Sequence, residues 1–369
     1  MSTRFEAFLA GPEDDDELRR LLRENPMPGD IALTLEREPS FFHGAAIEGE
    51  VHHTITGRDD ATGRLVGVGS IAAREVYLGG EPRRFGYLSQ LRVDQRFRYH
   101  SKLLRRGFEL LRDLDAQLDV PGFFTTIFED NLLARAALEK DRPFKPCYRR
   151  IGTLVTLALP LWRRLRVAAP TGVEVRAARK DDLDAIVACL ARNHRRHPLA
   201  PVWRAASLTH AERARGLALE DFTLAVRGDQ VVACLARWDQ QAFKQTLVRG
   251  YAGRMAFARP LVNLGAPIFG WPRLPKPGQA LSHAYLSHVA VDDDDPALLL
   301  PLVAQAFNDS FDRGYAYLTT GFFEGTPLLA ALKQRCFHLE YRALAYLVHW
   351  AHRPAPTVEG LPHLEVAVL

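Results

Sequence analysis

The sequence has little cysteine, no long apolar run and no excess of charge of one sign. Its four cysteines, Cys147, Cys189, Cys234 and Cys336, lie far apart and form no CxxC pair. That spacing argues against a disulfide framework or a structural zinc site and fits a reducing cytosol. The longest apolar stretch, Ile151 to Trp162, is about half the roughly 20 residues that span a bilayer. Its Thr, Val and Leu content, ending in a proline and arginines, fits a buried strand. Lysine and arginine number 48 against 44 acids, and the resulting +4 does not mark a nucleic-acid-binding protein. The N-terminal MSTRFEAFLAGPEDDDELRR is acidic where an export signal needs a basic start and an apolar stretch. The expectation is a cytoplasmic protein with no nucleic-acid and no membrane partner. A length of 369 residues suggests two domains.

What the sequence does contain is a repeat. YLSQLRVD from Tyr87 and YLSHVAVD from Tyr285 agree in their first three residues, and again at Val93 with Val291 and Asp94 with Asp292. FFTTIFEDNLLARAALE from Phe123 matches YLTTGFFEGTPLLAALK from Tyr317, and Tyr148-Arg149 matches Tyr341-Arg342. FEAFLAGPEDDDELRRLLREN near the start resembles VEVRAARKDDLDAIVACLARN, with Glu6 on Glu174 and Asn25 on Asn193. The offset grows between the first pair and the central one, which places an insertion around His197 to Gly216. Matches in the same order make a duplication the reading.

Each half reads as a strand, an acidic helix start, a hairpin, the YLS strand, a long helix, the TT strand, a short helix and a closing strand. Carboxylates in EDDDELRRLL and KDDLDAIVACLA favour helix N-termini. LAVRGDQVVACLARW alternates about a Gly228-Asp229 turn. The long helices are expected over Ser101 to Leu114 and Pro296 to Phe311. Such an order gives an α/β fold with a mixed sheet and helices on both faces.

The strand ending LRVDQRFR (Leu91 to Arg98), the basic helix after it and TTIFEDNLLARAALE (Thr125 to Glu139) resemble the GNAT acyltransferase fold, present twice. The resemblance implies two tandem GNAT folds, each a central mixed β-sheet flanked by helices, over 1–166 and 170–352, with a tail over 353–369. It also resembles a bacterial subgroup with tandem GNAT domains. The family implies acetyl-CoA or another acyl-CoA as donor, and a primary amine on a small molecule or peptide as acceptor. It implies that the backbone of Leu91, Arg92 and Val93 bonds the pantetheine arm. The turn carrying Arg96, Arg98, Tyr99, His100, Ser101 and Lys102 would cradle the pyrophosphate. Asn131 would contact the cofactor or the reaction centre. A helix N-terminus with arginines nearby is in any case a good anion site. Seven basic residues against two acids lie from Arg92 to Arg112.

Three departures stand out in the first half, and more in the second. The family loop follows Q/R-x-x-G-x-G/A, but DQRFRYHSKLLRRG has no glycine before Gly107. Either the side chains compensate or the donor is not ordinary acyl-CoA. An acidic acyl carrier protein presents the same arm with one phosphate and would suit the basic helix. The family also often puts a glutamate early on the central strand, where this chain has Tyr87, Ser89 and Gln90. Glu129 is then the nearest candidate base. The family's tyrosine acid falls on Leu138, so Tyr148 is the substitute. In the second half the loop is Asp292 to Pro296, four carboxylates where phosphate would sit, with Asp295 reading as a helix cap. Gly325 replaces the asparagine. The second copy is expected to be degenerate and to complete the acceptor cleft, stabilise the first copy or support a homodimer. His52-His53 and His194 to His197 lack a companion acid or cysteine at ligand spacing, so no metal is expected and a solvated loop is the reading.

Three functions follow. The first is an N-acyltransferase, most simply an N-acetyltransferase, acting by direct attack in the first half. The second is an enzyme using acyl carrier protein or a long-chain acyl-CoA to acylate an amino acid or peptide. The third is a non-catalytic acyl-CoA sensor or scaffold.

Overall fold

The computed structural model describes residues 5–27, 29–98 and 100–369, with Pro267 described in its backbone only. The first half runs β1 (Phe5–Leu9), α1 (Asp15–Glu24), β2 (Ile31–Glu36), α2 (Phe41–Ala46), β3 (Val51–Asp59), β4 (Leu65–Leu78), β5 (Glu81–Val93), α3 (Ser101–Leu118), β6 (Phe123–Phe128), α4 (Leu132–Glu139) and β7 (Cys147–Pro160). The second runs β8 (Glu174–Ala177), α5 (Leu183–His194), α6 (Ala205–Leu208), β9 (Phe222–Arg227), β10 (Gln230–Trp238), β11 (Gln245–Tyr251), α7 (Gly253–Phe269), β12 (His283–Val291), α8 (Pro296–Asp312), β13 (Tyr317–Phe323), α9 (Pro327–Arg335) and β14 (Leu339–His349). The helices expected from Ser101 and Pro296 begin there and end at Leu118 and Asp312.

Among the described residues, twelve strands form one mixed sheet in the order β1-β3-β4-β5-β6-β14-β7-β13-β12-β10-β9-β8. The order reads alike from both edges. β5 and β6 are parallel, as are β12 and β13, and the other neighbours are antiparallel. The last strands cross over: β14 pairs with β6, and β7 pairs with β13. β7 and β14 then pair with each other at the centre, from Leu339↔Ala158 to His349↔Cys147. A central strand is covered on both faces, which is why TLVTLALP is apolar at nearly every position. Val155, Leu157 and Leu159 are fully buried.

Helices cover this sheet through their apolar faces. Leu18, Leu21 and Leu22 of α1 pack on Phe41, Leu65 and Val68. Phe108, Leu111, Leu114 and Leu118 of α3 pack on Ile71, Phe123, Ile127 and Leu344. The segment from His194 to His197 is not a solvated loop. His194 is buried, with ring nitrogens 3.2 Å from Pro201 O and 3.0 Å from Val289 O. It is packed because the residues after it fold back on β4: Tyr77 N donates to Ala200 O (2.9 Å) and Val202 N to Glu75 O (3.0 Å). The segment expected as an insertion thus ties the second half to the first. β2 and β11 form a separate two-stranded sheet, from Ile31↔Tyr251 to Glu36↔Gln245.

Candidate active site

β5 and β6 are held together at one end and spread apart at the other. Gly86 and Tyr87 pair with Phe123 and Phe124, and the ladder stops there. A Cβ at Gly86 would lie 2.1 Å from the Phe123 ring, so this close approach requires glycine. Beyond it Thr125 Oγ1 donates to Leu88 O (2.7 Å), and the strands diverge. On its other side β5 bulges: Ser89 faces Ser70 but Arg92 faces Val68, with the register shifting between them. Gln90 takes the strain at φ +54°. The bulge turns the backbone of Gln90 and Leu91 out of the ladder at the wedge's open end.

A cleft begins at this wedge and runs along the sheet into the second half. Ser89, Leu91, Arg92 and Asn131 line it from the first half, and Tyr285 and Tyr317 from the second. The small sheet contributes Leu33, Leu35, Val248 and Tyr251. A second, mostly apolar chamber of about 100 Å³, partly open to solvent, lies under α3, lined by Gly57, Gly67, Gly69, Leu104, Gly107 and Phe108. It shares Leu88, Ser89, Leu91, Arg92 and Tyr148 with the cleft, so the two meet at the bulge. A Cβ at Gly107 would meet no atom within 4 Å. Mid-helix glycine costs about 1 kcal/mol relative to alanine, and here it leaves the chamber open.

The expected site residues divide. Leu91, Arg92, Val93, Asn131 and Tyr148 all border one or both spaces. Asn131 Oδ1 accepts from Ala134 N (3.2 Å), capping α4. Tyr148 has its phenol pKa raised far above the ordinary value by burial. Glu129 does not line the cleft; it accepts from Arg342 Nε (2.9 Å) in a cluster with Glu324 and Glu340. Arg96 donates to Asp94 through both its side chain (2.8 Å) and its backbone N–H (3.0 Å). Arg98 is exposed, and His100 packs edge-on to Phe5 (5.5 Å). Ser101 and Lys102 are exposed on the first turn of α3. Tyr99 lies outside the described residues.

Sequence reasoning missed the polar group behind Ser89. Ser89 Oγ donates to Glu48 Oε2 (2.7 Å), and Glu48 also pairs with Arg37 and lies 3.9 Å from His52 Nε2. Burial raises a carboxylate's pKa, but the charges facing Glu48, chiefly Arg37, bring it below the ordinary value. His52 is pushed down to about 4 by burial. Lys244, beside Tyr285, falls to about 7 through burial and repulsion from Arg37. No periodic pattern marks Glu48, which sits in a turn far from β5 in sequence.

The matching wedge of the second half is filled. β12 and β13 pair over His283–Tyr285 and Tyr317–Thr319, then part around residues 363–369. His288, at φ +53°, donates its N–H to Glu365 Oε2 (2.7 Å), and Ala367 N donates to Oε1 (3.2 Å). Burial raises Glu365 to about 7. The acidic loop is clamped too. Asp292 accepts from Arg192 (2.8 Å) and Asn193 (2.7 Å), Asp294 pairs with Arg196 and His197, and Asp295 caps α8.

No protein-family model and no curated protein matches the sequence. Solved structures do match. A GCN5-related N-acetyltransferase from Sphaerobacter thermophilus is 14% identical with a TM-score of 0.54, over 96% of this chain and 98% of its own. Saccharomyces cerevisiae N-myristoyltransferase with bound myristoyl-CoA is 14% identical in two structures. Their TM-scores are 0.57 and 0.58, over 94% of this chain and 79% and 83% of theirs. At such identity the likeness is one of architecture. The fold of this chain is the GNAT fold.

Proposed function

We propose that the chain is an acyl-CoA-dependent N-acyltransferase whose donor lies in the wedge between β5 and β6, with its acyl chain in the chamber under α3. The observation that carries this reading is the meeting of chamber and cleft at the Gln90 bulge. A thioester carbonyl placed there would have an apolar space on one side and the cleft on the other. The unpaired edge of β5 at Leu91 and Arg92 suits the amides of a pantetheine arm. The N-terminus of α3 suits the diphosphate, with Lys102 and Arg98 in place of the usual loop glycines. A chamber walled by three strand glycines and Gly107 favours a chain longer than acetyl.

In this reading the acceptor amine enters along the cleft. Its nitrogen attacks the carbonyl carbon, the carbon–sulfur bond breaks, and the leaving thiolate takes up a proton. Tyr148, kept protonated by burial, supplies that proton. Glu48, ionised and reached through Ser89, receives the proton lost by the amine, in the role first given to Glu129. The filled second wedge supports a single donor site per chain. Calorimetry with acetyl-CoA, octanoyl-CoA and myristoyl-CoA tests the reading. Binding is expected to tighten with chain length at one site. Failure of all three to bind overturns the proposal, and tightest binding of acetyl-CoA overturns the assignment of the chamber.

A further inference from the structure

Helix α7 turns its apolar residues to the outside. Phe257, Leu261, Leu264 and Ile268 recur at helical spacing and are 82, 71, 74 and 77% exposed. Phe269 and Trp271 extend the stripe beyond the helix, their rings stacked 4.7 Å apart. Of the helix's described side chains only Ala266 is buried. The orientation is fixed from the opposite side. Arg259 Nε donates to Pro275 O (3.2 Å), and Asn263 exchanges hydrogen bonds with the backbone of Leu274 at 2.8 and 3.0 Å. The helix therefore holds its apolar stripe outward by specific contacts.

The stretch of sequence that contains the helix carries charge of one sign. From Gln240 to Val291 there is no aspartate or glutamate, but six basic residues. Of these Arg254, Arg273 and Lys276 are exposed along α7 and just beyond it. At the helix's far end Gly270 abuts the backbone of Trp162, and exposed Arg163 stacks on the Trp162 ring at 4.5 Å. An exposed acid, Asp30, lies beside Gly253 at the start of the helix.

A helix of this length offers a face about 25 Å long and about 10 Å wide. That is far below the roughly 800 Å² per partner of a stable protein interface. It is ample for a helix lying in a lipid interface, where bulky apolar side chains enter the acyl region and arginines and lysines rest on phosphates. We propose that α7 seats this chain on the surface of an anionic phospholipid bilayer. Phe257, Leu261, Leu264 and Ile268 enter the acyl layer, and Arg254, Arg273 and Lys276 contact the headgroups. The expectation of no membrane partner rested on the lack of a spanning run. Among the described residues no helix is long and apolar enough to cross a membrane, and this mode needs none.

Co-sedimentation of the full chain with vesicles tests this. Binding is expected to phosphatidylcholine vesicles containing about one third phosphatidylglycerol, to weaken with salt, and to be slight on phosphatidylcholine alone. Leu261→Asp/Leu264→Asp is expected to abolish it. Arg254→Glu/Arg273→Glu, which leaves the apolar stripe intact, should weaken it by at least about fivefold per charge removed. Near-ultraviolet circular dichroism of each variant checks that the fold is kept. Equal binding by the wild type and both folded variants overturns the proposal, as does no binding to either vesicle. A wild-type dimer in sedimentation equilibrium that Leu261→Asp/Leu264→Asp dissolves would assign the stripe to a second copy and overturn it too.

Discussion

Ser89 donates its hydroxyl proton to Glu48 across 2.7 Å, joining the wall of the cleft to a carboxylate that solvent does not reach. Arg37 holds the other oxygen. Glu48→Gln would leave the buried Arg37 guanidinium without its counter-charge, and a loss of about 3–5 kcal/mol is expected in urea unfolding. Ser89→Ala removes one hydrogen bond and should cost only about 1 kcal/mol. A large drop in turnover from Ser89→Ala, with stability nearly kept, is the expected separation of the two roles. The pKa of Glu48 is lowered in the fold, so its contribution is present above the ordinary carboxylate range. It is lost as pH falls through the folded value, and acid titration of the wild type against Glu48→Gln should show this.

Lys244 has a dependence of the same sign in a higher pH window. Its folded pKa is about 7, well below that of an unfolded lysine. Between those values the unfolded chain binds the extra proton, so the wild type should gain stability as pH rises from about 7 to about 10. The slope is at most about 1.4 kcal/mol per pH unit. Lys244→Met should lack this rise. Denaturant midpoints of the two proteins across that range are the measurement.

Gly107 faces open space in the middle of α3. Gly107→Ala should raise stability by up to about 1 kcal/mol through helix propensity. Gly107→Leu should fill the chamber. The expected result is weaker binding of myristoyl-CoA with little change for acetyl-CoA, read by calorimetry. Equal losses for both donors would mean that the chamber does not hold the acyl chain.

Glu365 bonds two backbone N–H groups inside the second wedge. Glu365→Ala leaves both without this partner, and about 1–3 kcal/mol per buried group is the expected scale. Because its folded pKa is raised to about 7, the wild type binds a proton there that the unfolded chain releases above about pH 4.5. Stability should therefore fall as pH rises from about 4.5 to about 7, and Glu365→Gln should flatten that portion of the curve.

Local order was legible in the sequence. The YLS repeats became β5 and β12, and their differing fourth residues, Gln90 and His288, share a positive φ. The TT repeats became β6 and β13, and the Gly228-Asp229 turn closes the β9–β10 hairpin. The contacts between distant segments were not legible. An internal match gives the order of strands but not which copy pairs with which, so the exchange of β7 and β14 left no trace in the offsets. Glu48 reaches Ser89 from a turn without periodicity, and residues 363–369 fill a wedge through two carboxylate oxygens. Gly107 was visible as the loop's first glycine, although its role depends on what faces it. The acid-free run from Gln240 to Val291 could have been found by composition alone, but the direction α7 faces could not.

The crossing of the final strands affects how the chain matures on the ribosome. When synthesis has passed Pro160, β7 is complete, but both its neighbours, Tyr317–Phe323 and Leu339–His349, are still to be made. Its apolar Leu154 to Leu159 segment then has two open edges, the kind of surface that recruits wrong partners. The middle of the sheet is therefore among the last parts to close. Release of the nascent chain before His349 would leave an unsealed seam through the protein's centre, while the outer strands of both halves could already be paired.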